Sequence, residues 1–342
     1  MSAAKPFQER YSRQLLFSPI GEVGQKRLSR SKILIVGMGA LGTVIANHMV
    51  RAGVGFVRFV DRDFVEMSNL QRQMLFEEQD AVESVPKAVA AERKLKKINS
   101  EVELEGIVGD VNPSTIEQYA EGMDLILDGT DNFQTRFLMN DIAFKKGIPY
   151  IYGGVVSSRG MQATFIPGET PCLRCLIEES AGRGETCDTA GVIAPVVDVV
   201  ASYEATEAIK WLVGNKAAVR RSLLSIDLWR GYHQEIKWST PNEQCPTCQR
   251  QEYPALYAAD NDVTTLCGRE TVQITARQNR KWDLDEWKRK LENVGEVEQT
   301  PFLLRFRVDD LNLVIFPDGR VLVQGTEDVV QAKSVYAKYI GA

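Results

Sequence analysis

Histidine is almost absent: the chain has two in 342 residues, His48 and His233. No Tyr-x-x-x-Lys pair occurs either. A nicotinamide-dependent oxidoreductase would therefore lack an obvious proton donor or base. His48 reads as a helix-face residue and His233 as a surface or interface residue. There is no basic run and the net charge is -5, which argues against nucleic acid as a partner. The longest apolar stretch is broken by glycines, Asn47 and His48, and residues 1–10 lack the apolar core of a signal peptide, so neither a membrane span nor secretion is expected and a cytoplasmic protein is. Cysteine is sparse at six residues, four of them in two close pairs, which suits a reducing compartment. At 342 residues and 44% apolar content the chain exceeds one small domain and can bury a large core.

What is present begins at Ile33-Leu34-Ile35-Val36, an apolar run that reads as a buried parallel strand. Gly37-Met38-Gly39-Ala40-Leu41-Gly42 follows, and Thr43 to Ala52 continues as a helix. Glycines at a strand-to-helix turn leave free N–H groups and a positive dipole end, which suit a pyrophosphate. A second strand, Phe56 to Val60, ends at Asp61, placed to take ribose hydroxyls. A glycine-rich turn without a ligand is the plainer reading, and it leaves Asp61 unexplained. A polar cassette comes next, Asp61-Arg62-Asp63 and then Ser68-Asn69-Leu70-Gln71-Arg72-Gln73.

Attack by a carboxylate on the α-phosphate of ATP needs no general base, because the nucleophile is already ionised. It needs phosphate charge neutralised and the reactants in line, which Arg, Lys and Mg²⁺ supply. The chain offers Arg72, Lys87 after Pro86, and Arg13, with Asp131 of Gly129-Thr130-Asp131-Asn132 as a metal-binding carboxylate at the end of the apolar run Leu125-Ile126-Leu127. Any one of these charges alone reads as a solvated surface residue; together they fit one site. Cys172-Leu173-Arg174-Cys175 and Cys245-Pro246-Thr247-Cys248 suit tetrahedral zinc, although the long separation also leaves redox thiols or buried cysteines open.

Strands are expected at Val102 to Ile107, Leu125 to Leu127 and Tyr150 to Gly153, alternating with helices at Pro86 to Ile98 and Thr135 to Lys146. That alternation predicts an α/β, Rossmann-like, mainly parallel sheet. Later strands at 163–166 and 222–227 would make an antiparallel extension, set apart as a separate face. Pro195 to Val213 reads as a long helix with Glu204 and Glu207 on its polar side. Residues 1–250 would form this domain. After a polar connection, residues 263–342 read as a small α+β domain, with strands at 271–275, 301–308, 311–316 and 320–324, helices at 283–292 and 327–339, and a hairpin at Asp318-Gly319. A docking appendage or a stabilising lid are its two readings.

From Arg10 to Gln249 the chain resembles the adenylyltransferases of sulfur-carrier activation, the MoeB/ThiF/HesA group related to the ubiquitin-activating enzymes. The segments that carry the resemblance are Arg10-Tyr11-Ser12-Arg13-Gln14, the loop Gly37 to Gly42, Ser68 to Gln73, Pro86-Lys87, Thr130-Asp131-Asn132, the two cysteine pairs, Cys187 and Ala194-Pro195. The resemblance implies MgATP-dependent adenylation of the C-terminal glycine of a small ubiquitin-like sulfur-carrier protein ending in Gly-Gly. It implies catalytic roles for Arg72, Lys87, Asp131, Arg13 and Cys187. The nucleotide site would draw on Gly37, Gly39, Ala40, Gly42, Asp61, Asp63, Asn69, Arg72, Gln73, Lys87, Asp131 and Asn132. Asp131 would hold Mg²⁺, and Arg13 would reach a partner subunit's ATP site, which implies a homodimer. A structural Zn²⁺ on Cys172, Cys175, Cys245 and Cys248 becomes the favoured reading. Cys187 lies in a polar, glycine-bearing stretch and is either a reactive thiol, acting with a sulfur-donor protein, or a passive one; Cys267 has no evident partner. One departure is Ser84-Val85 before Pro86-Lys87, where many relatives carry Gly-Gln. Thiamine thiazole and molybdopterin synthesis both use such carriers, and the appendage leans towards the thiamine branch. A nucleotide-binding scaffold without turnover and an NAD-dependent oxidoreductase stand as alternatives.

Overall fold

A computed structural model describes residues 9–177, 190–238, 240–258, 263–266, 270–275 and 282–341. The expectations for Cys187 and Cys267 fall outside these described residues. The chain divides into two compact units, and the larger is built on one eight-stranded sheet.

Its strands are β1 (Lys32–Val36), β2 (Phe56–Asp61), β3 (Glu103–Val108), β4 (Leu125–Asp128), β5 (Tyr150–Val156), β6 (Arg159–Phe165), β7 (Ser222–Asp227) and β8 (Tyr232–Lys237), in the order β3-β2-β1-β4-β5-β6-β7-β8. The first five pair in parallel and the rest antiparallel. The later strands therefore continue the same sheet and are not a separate face. The parallel crossovers run through α3 (Ala40–Ala52) between β1 and β2, α4 (Lys87–Ile98) between β2 and β3, and α5 (Phe133–Lys146) between β4 and β5, while α1 (Ser12–Leu16) and α2 (Gly21–Leu28) precede β1 and α6 (Ala194–Leu212) leads into β7.

The sheet is sandwiched. Leu34, Val36, Ile126, Tyr150, Tyr152 and Phe165 pack against Phe137, Leu138 and Ile142 of α5, while α3 and α6 pack together, with α6 also against β5 and β6. Burial on both faces explains why β1 and β4 read as unbroken apolar runs. It also overturns the polar-side placement of Glu204 and Glu207, both fully buried because α6 is covered by the sheet and by α3. Glu207 is satisfied by the N–H of Arg220 at 2.8 Å and by Lys210 at 2.7 Å. Strand order reverses between β1 and β4, so the turns after these two strands flank the crevice where sheets of this kind bind ligands.

The smaller unit holds an antiparallel sheet of β9 (Val263–Leu266), β10 (Thr271–Thr275), β11 (Glu296–Gln299), β12 (Leu304–Val308), β13 (Leu311–Ile315) and β14 (Arg320–Gln324), in the order β11-β12-β13-β14-β10-β9. Helices α7 (Leu284–Leu291) and α8 (Val329–Tyr339) contribute Leu291 and Ala332 to a core with Phe306, Leu313, Ile315, Val321 and Val323. The hairpin expected at Asp318-Gly319 joins β13 to β14, with Gly319 at φ +87°, a left-handed conformation that suits glycine.

Candidate functional site

The turn after β1 fits only because three glycines meet. Gly37 has φ +89°. A Cβ on Gly42 would lie 1.9 Å from the Gly37 carbonyl oxygen, and one on Gly129, at the end of β4, would lie 2.2 Å from that same oxygen. The turns after the two central strands are thus interlocked. They present the N-terminus of α3, where Gly39 is the N-cap and offers no side-chain cap to the first-turn N–H groups. In the sequence Gly129 stands out only as a neighbour of Asp131; its close approach depends on a strand pairing that no local pattern reveals.

Asp61 stands at the end of β2 beside this turn. Its Oδ2 accepts the N–H of Met38 at 2.6 Å and its Oδ1 accepts that of Asp63 at 2.7 Å. Low-dielectric surroundings push the carboxyl above the usual carboxylate range; Lys87 opposes the shift and Asp63 adds to it. Asp63 pairs with Lys87 at 3.3 Å and lies 4.0 Å from Arg62, which also pairs with Asp110 at 3.2 Å. Burial works against the charge of Arg62, but Asp110, Asp63, Asp131 and Asp61 outweigh it and raise its pKa. Asp131 therefore shares one electrostatic neighbourhood with Asp61, Asp63 and Lys87.

The cassette after Asp63 folds as a short 3-10 turn, Met67–Asn69. Asn69 is buried, and its Oδ1 accepts the N–H of Glu66 at 3.1 Å. Gln73 is buried with its side-chain oxygen lacking any hydrogen-bond partner, and its Nε2 is 3.9 Å from where a Gly39 Cβ would stand. An orphaned acceptor next to the glycine turn is what a ligand would satisfy. Arg72 donates to the Ser68 carbonyl at 3.0 Å. Asn132 is the N-cap of α5, accepting the N–H of Thr135 at 2.8 Å, which occupies that oxygen structurally. Asp131, one residue earlier, is exposed at the mouth of the crevice.

Beneath Asp131 lies a network that the sequence did not suggest. Buried Asp128 accepts from Arg136 Nε at 3.1 Å, Tyr150 Oη at 2.7 Å and Thr130 Oγ1 at 2.8 Å. Arg136 Nη2 donates to the carbonyls of Thr130 and Gly153 at 2.8 and 2.9 Å. The Thr130-Asp131 loop is thereby tied to β5.

In the N-terminal motif, Tyr11 and Gln14 point inward: Tyr11 Oη accepts from Asn99 at 2.9 Å, and Gln14 Nε2 donates to the Ala52 carbonyl at 3.0 Å. Arg13 is exposed on α1. Ser84, in the loop before Pro86, has a left-handed φ of +50°, a conformation that glycine adopts more readily.

The four cysteines of the two knuckles converge. Their sulfurs all lie within 4.8 Å of one another, with Cys172 to Cys245 at 3.5 Å and Cys175 to Cys248 at 3.4 Å. A tetrahedral zinc with Zn–S bonds of about 2.3 Å needs sulfur separations of about 3.8 Å, so the set fits. The hydrogen bonds of Cys172 and Cys248 pull Cys175 down to about 2, while Cys175 holds Cys172 far above the thiol range.

The fold and the site together define an α/β protein with a glycine-walled, charge-lined crevice at the carboxyl ends of its central strands and a separate cysteine cluster. The chain belongs to the ThiF family, whose model matches residues 11–247. It is 46% identical over 335 residues to the sulfur carrier protein ThiS adenylyltransferase of Bacillus subtilis (strain 168), covering 97% of this chain and 99% of that one. It is 35% identical over 247 residues to the sulfur carrier protein adenylyltransferase of Thermus thermophilus, covering 70% and 90%. Among solved structures, Escherichia coli MccB with succinimide matches with a TM-score of 0.62 at 24% identity, over 70% of this chain and 74% of that one. That likeness concerns the fold.

Proposed function

We propose that this chain is an adenylyltransferase that activates the C-terminal glycine of a small ubiquitin-like sulfur-carrier protein with ATP. The supporting observation is the convergence of the interlocked glycine turn, Asp61, the Asp63–Lys87 pair and Asp131 at the carboxyl ends of β1, β2 and β4. Near full-length similarity to a ThiS adenylyltransferase supports the same reading and favours the thiamine branch.

The first-turn N–H groups of α3 and the guanidinium of Arg72 hold the phosphates, and Asp61 takes the ribose hydroxyls. Lys87, turning from Asp63, neutralises charge that builds on the phosphate. A tail carboxylate oxygen then forms a bond to the α-phosphorus, and the bond to the bridging oxygen breaks to release pyrophosphate. Asp131 is suited to hold Mg²⁺, which would screen the phosphates. Arg13, exposed on α1, serves the site of a second copy in a homodimer. A zinc ion held by Cys172, Cys175, Cys245 and Cys248 would be structural, because four thiolates would leave no coordination position for chemistry.

ATP–pyrophosphate exchange tests the reading. Purified protein is run with a ThiS-like carrier, a MoaD-like carrier, and each lacking its last two glycines. Exchange that requires the intact tail is expected, faster with the ThiS-like carrier. No exchange with either carrier by a folded dimer would leave a nucleotide-binding scaffold in its place.

A further inference from the structure

The two cysteine knuckles come from segments separated by residues 176–244, and each has one side chain between its cysteines that turns to the same acceptor. That acceptor is Asp141, fully buried in α5. Arg174, inside the first knuckle, donates from Nε to Asp141 Oδ1 at 3.1 Å and from Nη2 to Oδ2 at 3.1 Å. Thr247, inside the second, donates from Oγ1 to Asp141 Oδ1 at 2.6 Å. The N–H of Ala255 reaches Oδ2 at 2.8 Å, and Asn140 Nδ2 reaches Oδ1 at 3.2 Å. Asn140 in turn accepts the N–H of Leu173, also inside the first knuckle, at 2.9 Å.

Every contact here runs from a donor to the carboxylate. An ionised carboxylate has acceptor capacity on both oxygens, whereas an amide would place N–H groups against the N–H donors of Arg174 or Ala255. The guanidinium of Arg174 also lies over the ring of Phe137, 4.6 Å from its centroid, which restricts where it can sit. Neither Arg174 nor Thr247 is one of the four cysteine ligands.

We propose that Asp141 is the positioning residue of the cysteine cluster, fastening both knuckles to one helix so that the four sulfurs are in register before a metal arrives. The inference rests on the zinc reading of the cluster. Loop closure over residues 176–244 costs entropy that a metal would otherwise have to offset at the moment of binding; anchoring through Arg174 and Thr247 moves that cost into folding. Asp141 acts through the knuckles, not on the metal, so its loss shows in affinity and ligand geometry.

The test uses the full chain and reads zinc per protein by atomic emission, apparent zinc affinity by competition with a chromogenic chelator, and the visible bands of the cobalt-substituted protein. Thr247→Val keeps the shape and removes the hydroxyl; Thr247→Ser restores it. Thr247→Val should weaken zinc affinity on the order of 10-fold and alter the cobalt bands, Thr247→Ser should recover both, and Asp141→Asn should weaken affinity roughly 10–100-fold. If Asp141→Asn does not fold, the Thr247 pair decides. Wild-type affinity and unchanged cobalt bands in folded Thr247→Val would overturn the positioning role, while wild-type protein that takes up neither zinc nor cobalt would overturn the metal reading and the inference with it.

Discussion

Lys87 Nζ lies 3.3 Å from Asp63 Oδ2, and the N–H of Lys87 donates to the Asp63 carbonyl at 2.9 Å. One residue thus holds both the start of α4 and the amine that the site needs. Because the Lys87 side chain is almost fully buried, it has few positions to occupy, and arriving phosphates compete with Asp63 for it. Lys87→Ala should therefore cost roughly 10²–10³-fold in pyrophosphate exchange at saturating ATP. Stability should change far less, since Asp63 keeps Arg62 as a neighbour. Exchange near the wild-type rate, measured beside a thermal melt, would make Lys87 a structural residue only.

The interlocked glycines give a second prediction. Gly129→Ala puts a methyl 2.2 Å from the Gly37 carbonyl oxygen and against backbone, so the turns after β1 and β4 must separate. We expect a loss of about 1–3 kcal/mol in urea unfolding, with weaker ATP binding by calorimetry. Gly39→Ala meets nothing closer than 3.9 Å, so it should cost less stability while still obstructing the phosphates. Equal stability of the two variants would show that the interlock is not holding the turn.

The same contrast shows what the sequence could reveal. Strands β1 and β4 were legible because burial on both faces makes them continuous apolar runs, β2 was legible from the apolar residues on either side of Arg58, and Asp61, Lys87 and Asp131 were legible because they sit just past these strands or beside Pro86. Strand β8 was not, since all six of its residues are exposed at the sheet edge, and β11, Glu296–Gln299, carries one half-buried apolar side chain. Asp128 and Asp141 are not legible because most of their partners lie on other elements, and the burial of Glu204 and Glu207 is not legible because the strands and helix that cover α6 lie far away in the sequence. Charge in a helical pattern predicts a solvated face only where that side of the helix is free, and on α6 the free side carries Asp198 and Thr206, with Glu204 and Glu207 turned away from it.

Arg136 shows the cost of such hidden pairing. It is the counter-charge of fully buried Asp128 and also holds the carbonyls of Thr130 and Gly153. Arg136→Met should destabilise by about 3–5 kcal/mol, because Asp128 is left charged and buried. Arg136→Lys cannot reach all three acceptors with one amine and should recover only part. Denaturant unfolding at neutral pH checks both, and a Met variant as stable as wild type would mean that Asp128 is satisfied by Tyr150 and Thr130 alone.

Glu204 offers a pH test of the core. Its two carboxylate oxygens are buried without a hydrogen-bond partner, and a Cβ on Gly153 would touch them. Burial first, and then the charge of Asp128, raise its pKa well above the ordinary 4.5, with Arg136 opposing. The folded state therefore favours the protonated form. Its contribution is fully present below the unfolded pKa of 4.5 and is lost as pH rises towards the folded value, because over that window the native state binds a proton that the unfolded state has released. The slope reaches about 1.4 kcal/mol per pH unit. Glu204→Gln lacks the ionisation, so it should match wild type near pH 4 and exceed it at pH 8 in chemical unfolding. Stability curves that run parallel across that range would show that Glu204 is ionised in the fold, and that some group beside it carries the compensating charge.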